Sequence, residues 1–307
     1  MPSSFTTRNS APALPGYAAA LGSLAHRERS GAIAIEGADR TAFLQGQLTQ
    51  DVRGLDGGAS RLAAGLTPKG KLLYFGTLVA EPDRFVLLLP ADAVPGAVAH
   101  LAKYAAFQKA AVRDATAEYE RWAVYGPGAA ALRLPEGARM VAGGWDLAGE
   151  VVAPRALRSG VLAALAAAGS AEVAPDTAHV LRIEAGRPRL GVDADASTLP
   201  DEVGLQAAIS ATKGCYVGQE IVARLRTYGR VSRRLVGFRF PEVALSEGAA
   251  FPDPGKPGHD LGRVTSVALS PRFGAIGLGF ASRDVALGAV LRGPAGETAE
   301  VTELPFS

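Results

Sequence analysis

Residues 31–35, Gly-Ala-Ile-Ala-Ile, alternate small and branched side chains with the two-residue period of a strand. The Gly37-Ala-Asp-Arg turn then leads into a run, 40–48, with Phe43, Leu44 and Leu48 at helical spacing. Apolar runs over 72–79 and 85–89 flank Glu81-Pro-Asp-Arg, so they predict two strands joined as a hairpin. After the Pro95-Gly96 break, Val98, Leu101, Tyr104, Ala105 and Phe107 mark an amphipathic helix ending near residue 108. A second round follows. Residues 121–125 read as a strand, Gly126-Pro-Gly as a turn and 158–168 as a helix, while 180–184 fits either a strand or a helix.

From Arg234 onward the texture changes to short apolar runs between glycines and prolines, at 235–240, 261–269, 275–280, 289–291 and 298–301. That spacing predicts a small β-barrel or sandwich. The fold class is α+β. The expected division is a flexible lead and first element over 1–30, mixed α/β subdomains over 31–118 and 119–230, and a barrel over 231–307.

Composition narrows the function classes. The 32 basic and 30 acidic residues of the 307 leave a net charge of +2, so a polyanion-binding role needs a local patch rather than a global excess. Arg224, Arg226, Arg230, Arg233 and Arg234 form the one local basic concentration, readable as a solvated face, a clamp for a ligand carboxylate, or an RNA contact. The single cysteine, Cys215, rules out an intrachain disulfide and favours the cytoplasm. Apolar stretches fall short of the ~20 residues a spanning helix needs, so no membrane segment is expected.

The densest chemistry lies in Lys213-Gly-Cys-Tyr-Val-Gly-Gln-Glu. A helix starting at Gly218 or Gln219 puts Glu220 and Arg224 four residues apart, where they can pair, and leaves Cys215 just ahead of its N-terminus. A helix N-terminus and a cation such as Lys213 both favour thiolate over thiol; the alternative is that Cys215 is a small buried hydrophobe. One cysteine and the scattered His26, His100, His179 and His259 give no metal-ligand spacing, so no intrinsic metal is expected. Gly65-Leu-Thr-Pro-Lys-Gly-Lys-Leu matches a P-loop until Leu72, which stands where Ser or Thr must meet magnesium; it reads as a turn at Gly70. Glu184, a carboxylate in an apolar and basic stretch, either bridges Arg182 or Arg187 or accepts NH groups from a ligand such as a pterin.

Lys213 to Glu220 closely resembles the KGC[FY]xGQE signature of the YgfZ proteins. The resemblance continues in Phe43-Leu-Gln-Gly-Gln-Leu-Thr-Gln-Asp-Val, Pro68-Lys-Gly-Lys, Lys103-Tyr-Ala-Ala-Phe-Gln-Lys, and 181–205 with its Gly-Arg-Pro and Leu-Pro-Asp-Glu. It implies a T-protein-like architecture: two mixed α/β subdomains around a central folate channel, plus a small barrel. It also implies support for [4Fe–4S] enzymes, some of which modify tRNA. Tetrahydrofolate is the implied cofactor, and iron–sulfur client or assembly proteins are the implied partners, with tRNA contact as a further one. Glu184 aligns with the T-protein glutamate that holds the pterin, and Cys215 is the signature cysteine. The candidate folate contacts are Glu184, Lys213, Tyr216, Gln219, Glu220 and Arg224, and Cys215 is the candidate functional thiol. The Asn-Ala-Ser-Asn type segment of T-proteins is replaced by Leu89-Pro-Ala-Asp-Ala-Val-Pro-Gly, and Asp92 falls nearer the strand end than the T-protein's catalytic aspartate. An aminomethyltransferase and an RNA-binding module stand as the alternatives.

Overall fold

A computed structural model describes residues 13–142, 149–241 and 246–307; residues 1–12 of the expected lead lie outside the described residues. The chain forms two compact units, one of residues 15–174 and 206–223, the other of 175–205 and 224–307 with residues 13 and 14.

The larger unit holds two five-stranded sheets. The first runs Ser60–Leu66, Leu72–Ala80, Arg84–Leu88, Ala32–Glu36, Ala111–Asp114, antiparallel throughout. The expected hairpin is its centre, with Ala80 opposite Phe85 and the Glu81 amide donating to the Arg84 carbonyl. In the second, Ala25–Arg29 pairs parallel with Ala171–Glu172 and antiparallel with Tyr119–Tyr125, followed by Gly149–Pro154 and Arg139–Ala142.

The alternation that marks residues 32–35 as a strand also sorts them between two cores. Ala32 and Ala34 meet Val79, Val86, Tyr119 and Val152, joining the faces of the two sheets. Ile33 and Ile35 turn to the opposite face, over which the helix Val94–Ala105 packs. On the far side of the second sheet, Val161 and Leu165 of the helix Arg158–Ala167 cover Trp122, Val124 and Val151.

The smaller unit is built on a six-stranded antiparallel sheet ordered Ala250–Pro252, Asp260–Ser270, Gly274–Ser282, Arg233–Arg239, Thr298–Thr302, Val290–Arg292. Every expected C-terminal run falls on one of these strands, and Ala250–Pro252 is an addition. Register shifts at Phe251/Pro252 and Val264/Ser266 bend the sheet. Its two edge strands therefore converge, Phe251 and Leu291 sharing one core with Phe238 and Val301, and the sheet nearly closes into a barrel. Residues 180–184, open between strand and helix in the sequence, end the helix Pro175–Glu184, which starts on a proline with Asp176 in its first turn. Its Ile183 packs on Ile276, Leu278 and Phe306.

Candidate functional site

Three of the sequence motifs converge in the larger unit. The helix Arg40–Gln47 ends at Leu48, whose backbone bridges to Gly65; Thr49 then donates its hydroxyl to the Ala208 carbonyl at 2.6 Å and accepts the Ala64 amide at 2.9 Å. The Val217 amide donates to the Gly46 carbonyl at 3.1 Å, and the Ser210 amide to that of Thr49 at 3.0 Å. The Lys213-to-Glu220 loop is thus laid against the Phe43-to-Val52 segment by its own backbone.

The Pro68-Lys-Gly-Lys turn is the third member. Gly70 has a φ of 70°, and its amide donates to Thr67, as the reading of this stretch as a turn rather than a P-loop requires. The turn abuts Gly218, where an added Cβ would stand 2.5 Å from the Thr67 carbonyl oxygen.

Lys213 locks the assembly. Its side chain is 5% exposed, and its Nζ donates to the carbonyls of Leu48 at 2.5 Å and Gln50 at 2.9 Å. The same nitrogen lies 5.1 Å from the centre of the Tyr216 ring. Lys213 therefore satisfies carbonyls just past the end of a helix, where backbone acceptors lack intrahelical partners. Asp51 beside it is held well below the usual carboxylate range, chiefly by the hydrogen bonds of Arg53.

Burial lowers the Lys213 amine to about 8, with Asp51 opposing the shift and Arg53 adding to it. An unfolded lysine holds its proton to near 10.5, so between about pH 8 and 10.5 the unfolded chain binds more protons. This group then makes stability rise with pH across that window, by at most ~1.4 kcal/mol per pH unit. Urea unfolding of wild type and Lys213→Met at pH values on either side of the window should show this increment in the wild type alone; equal pH slopes would refute it.

Cys215 is exposed, which removes the buried-hydrophobe alternative. Tyr216 is buried, and the Gln219 Oε1 accepts the Tyr216 amide at 3.3 Å just before the helix Gln219–Tyr228. Lys213, Tyr216 and Gln219 thus shape the loop that displays the thiol. Gln47, on the opposing segment, has a buried Oε1 with no hydrogen-bond partner among the described residues. Such an acceptor is normally met by a ligand or water.

Glu220 and Arg224 are both exposed and form no ion pair with each other, contrary to expectation; side-chain entropy and solvent screening leave such a surface pair little net gain. On that helix Arg226 faces Asp201 at 3.5 Å. The basic concentration is partly structural. Arg233 binds Glu202 at 3.3 Å and stacks over Phe280, while Arg234 donates to the carbonyls of Arg283 and Val285.

Glu184 belongs to the smaller unit. It is buried at the C-terminal end of its helix, and its Oε1 accepts the Ser270 hydroxyl at 2.5 Å. Arg182, one of its two expected partners, instead binds Asp193 at 2.7 Å and donates to Ser266. What the sequence reading missed is the role of the Phe43-to-Val52 segment as the bed of the loop. Its density of glutamines was the available signal.

This architecture of mixed sheets and a nearly closed barrel is that of the glycine-cleavage T-protein. The solved structure of glycine cleavage system aminomethyltransferase T from Bartonella henselae matches 95% of this chain and 88% of its own, with a TM-score of 0.80 at 23% identity. No family model matches. Among curated relatives, the tRNA-modifying protein YgfZ of Colwellia psychrerythraea is 30% identical over 222 residues, covering 67% of this chain and 68% of its own. That of Edwardsiella ictaluri is 32% identical over 235 residues, with 67% and 68% covered. The chain belongs to the YgfZ family. No helix among the described residues is long and apolar enough to cross a membrane.

Proposed function

We propose that this protein binds a reduced folate and supports the assembly or repair of [4Fe–4S] enzymes, among them enzymes that modify tRNA. The observation that carries the reading is the exposed Cys215, displayed on a loop in which Lys213, Tyr216 and Val217 are hydrogen-bonded in place. A fixed loop with a free thiol at its tip suits handover or redox chemistry with a partner. The chain has one cysteine and a cluster usually takes about four thiolates, so a cluster would be cargo whose remaining ligands come from elsewhere.

One buried carboxylate supports the folate part of this reading. Glu184 is a buried carboxylate that accepts the Ser270 hydroxyl, and a carboxylate is the group that suits the NH edge of a pterin. When bound, folate would supply one-carbon or redox capacity. Glu184 would orient the ring, and Ser270 would hold the carboxylate in place, its oxygen in turn accepting the amides of Arg272 and Phe273.

Calorimetric titration with tetrahydrofolate should show binding by the wild type and roughly tenfold to hundredfold weaker binding by Glu184→Gln, the range for losing a hydrogen bond to a charged group. No binding by the folded wild type would remove folate from the reading. In cells lacking the protein, Cys215→Ala should fail to restore cluster-dependent tRNA modification; full restoration would remove the thiol. Turnover with tetrahydrofolate and an aminomethyl donor would favour the transferase alternative.

A further inference from the structure

Phe107 is 86% exposed, far above any other large apolar side chain among the described residues. It does not dangle. The Phe107 and Gln108 amides donate back to the carbonyls of Tyr104 and Ala105, closing the end of the helix Val94–Ala105. Two residues on, the Lys109 amide donates to the Asp39 carboxylate at 2.9 Å, and its carbonyl accepts the Asp39 amide at 3.0 Å. That carbonyl lies so close to Gly37 that a Cβ there would stand 2.3 Å from it. A rigid turn pinned at both ends therefore holds a bare aromatic ring in water.

The turn carries two exposed ammonium groups and, at Lys109, the Asp39 carboxylate that accepts its amide. Lys103 and Lys109, four residues before and two after Phe107, are exposed and form no ion pair among the described residues. A protein partner would need an apolar patch of several residues to build an interface of roughly 800 Å² per side. The other exposed large apolar side chains, including Leu21, Leu162 and Val290, sit on other elements. A single exposed ring with exposed lysines four residues before and two after it in sequence, the Lys103 Nζ lying 5.9 Å from the Tyr104 ring centre, instead suits a nucleobase and its phosphates, because every base has a face to stack and every nucleotide an anion.

We propose that Phe107 is a stacking platform for an unpaired base of an RNA, with Lys103 and Lys109 on the flanking phosphates. The inference rests on the tRNA-related part of the reading above for the source of the RNA, and on nothing in the folate part. It also relocates the RNA contact from the arginines near residue 230, two of which the barrel engages.

The test is fluorescence anisotropy with a labelled short single-stranded oligoadenylate at about 50 mM salt. Phe107→Ala should bind it roughly five- to hundredfold more weakly, and Phe107→Trp should retain binding. In Lys103→Gln/Lys109→Gln the slope of log affinity against log salt should flatten by about 1.4, the value for two single-strand phosphates. A duplex of the same length should bind more weakly than the single strand. Wild-type affinity in Phe107→Ala, or no binding by the wild type at that salt, would overturn the proposal. Because Phe107 is exposed, unchanged thermal unfolding of the variant will show that lost binding is not lost folding. Folate binding without RNA binding would sink this inference alone, and the reverse would sink the folate reading alone.

Discussion

Replacing Arg121 by methionine is expected to cost about 3–5 kcal/mol of folding stability, the range for stripping a buried charge of its partner. Arg121 lies on the strand Tyr119–Tyr125 and is 4% exposed. Its Nε reaches Glu150 at 2.7 Å, and its Nη1 donates to the carbonyls of Gly31 and of Leu89, the latter at 2.7 Å. Burial pulls its pKa down while Glu150 opposes that shift, which marks how dry the site is. One guanidinium thus joins two strands of the second sheet to backbone at the ends of two strands of the first. Methionine fills much of the volume but strips the Glu150 carboxylate and the Leu89 carbonyl of the guanidinium, while the Gly31 carbonyl keeps only the Leu89 amide. Thermal unfolding should shift down by roughly 10 °C. Adding Glu150→Leu should recover a large part of the loss, because the two changes remove one shared interaction. A single variant within 1 kcal/mol of wild type, measured in urea, would show that the pair does not bind the sheets together.

Arg121 also shows where sequence reading stops. Residues 121–125 are recognisable as a strand from Trp122, Val124 and their neighbours, but the arginine reads as a solvent-facing position. Its partner, Glu150, lies on a strand with no clear alternation signal. The strand Ala25–Arg29 was hidden for a related reason. His-Arg-Glu-Arg looks like a polar lead, yet His26 meets Ser170, Arg27 the Val173 carbonyl, and Glu28 Arg158. These partners lie more than a hundred residues away, and no local period reports them. The hairpin over 72–88, the helix Arg40–Gln47 and the C-terminal strands were legible because each depends on its own spacing and turn residues.

The candidate site divides along the same line. The loop around Cys215 and the helix after Gly218 stand out in the sequence, as do the motifs that turn out to flank them. The use made of Lys213 does not, since its acceptors are backbone carbonyls of residues 48 and 50, and any residue could supply those. A lysine beside a cysteine invites a catalytic reading. In the structure the lysine also clasps the backbone of residues 48 and 50, and the cysteine two positions on is exposed.

The second large effect is expected at Gly218. Its φ of 81° lies in the left-handed region, which costs an alanine ~1–2 kcal/mol. Its missing Cβ is also where the Thr67-to-Lys71 turn makes its approach, 2.5 Å from the Thr67 carbonyl oxygen and 3.1 Å from the Gly70 Cα. Both neighbours are backbone, so no rotamer change relieves the overlap, and crowding of this kind adds ~1–3 kcal/mol. The turn also lies close on the helix that follows, since a Cβ added at Gly70 would stand 3.1 Å from the Ile221 Cβ. Gly218→Ala should therefore lose about 2–5 kcal/mol and push the turn off the loop. Hydrogen exchange should then quicken at the Val217 and Gln219 amides, whose acceptors are Gly46 and Tyr216, while the barrel amides keep their protection. Gly214→Ala is the matched control. It sits in the same motif beside the same cysteine, with nothing within 4 Å of its Cβ position, and should stay within ~0.5 kcal/mol of wild type. If both alanines behave alike, contact between turn and loop does not hold the cysteine in place, and the backbone bonds of residues 46 to 50 must do so alone.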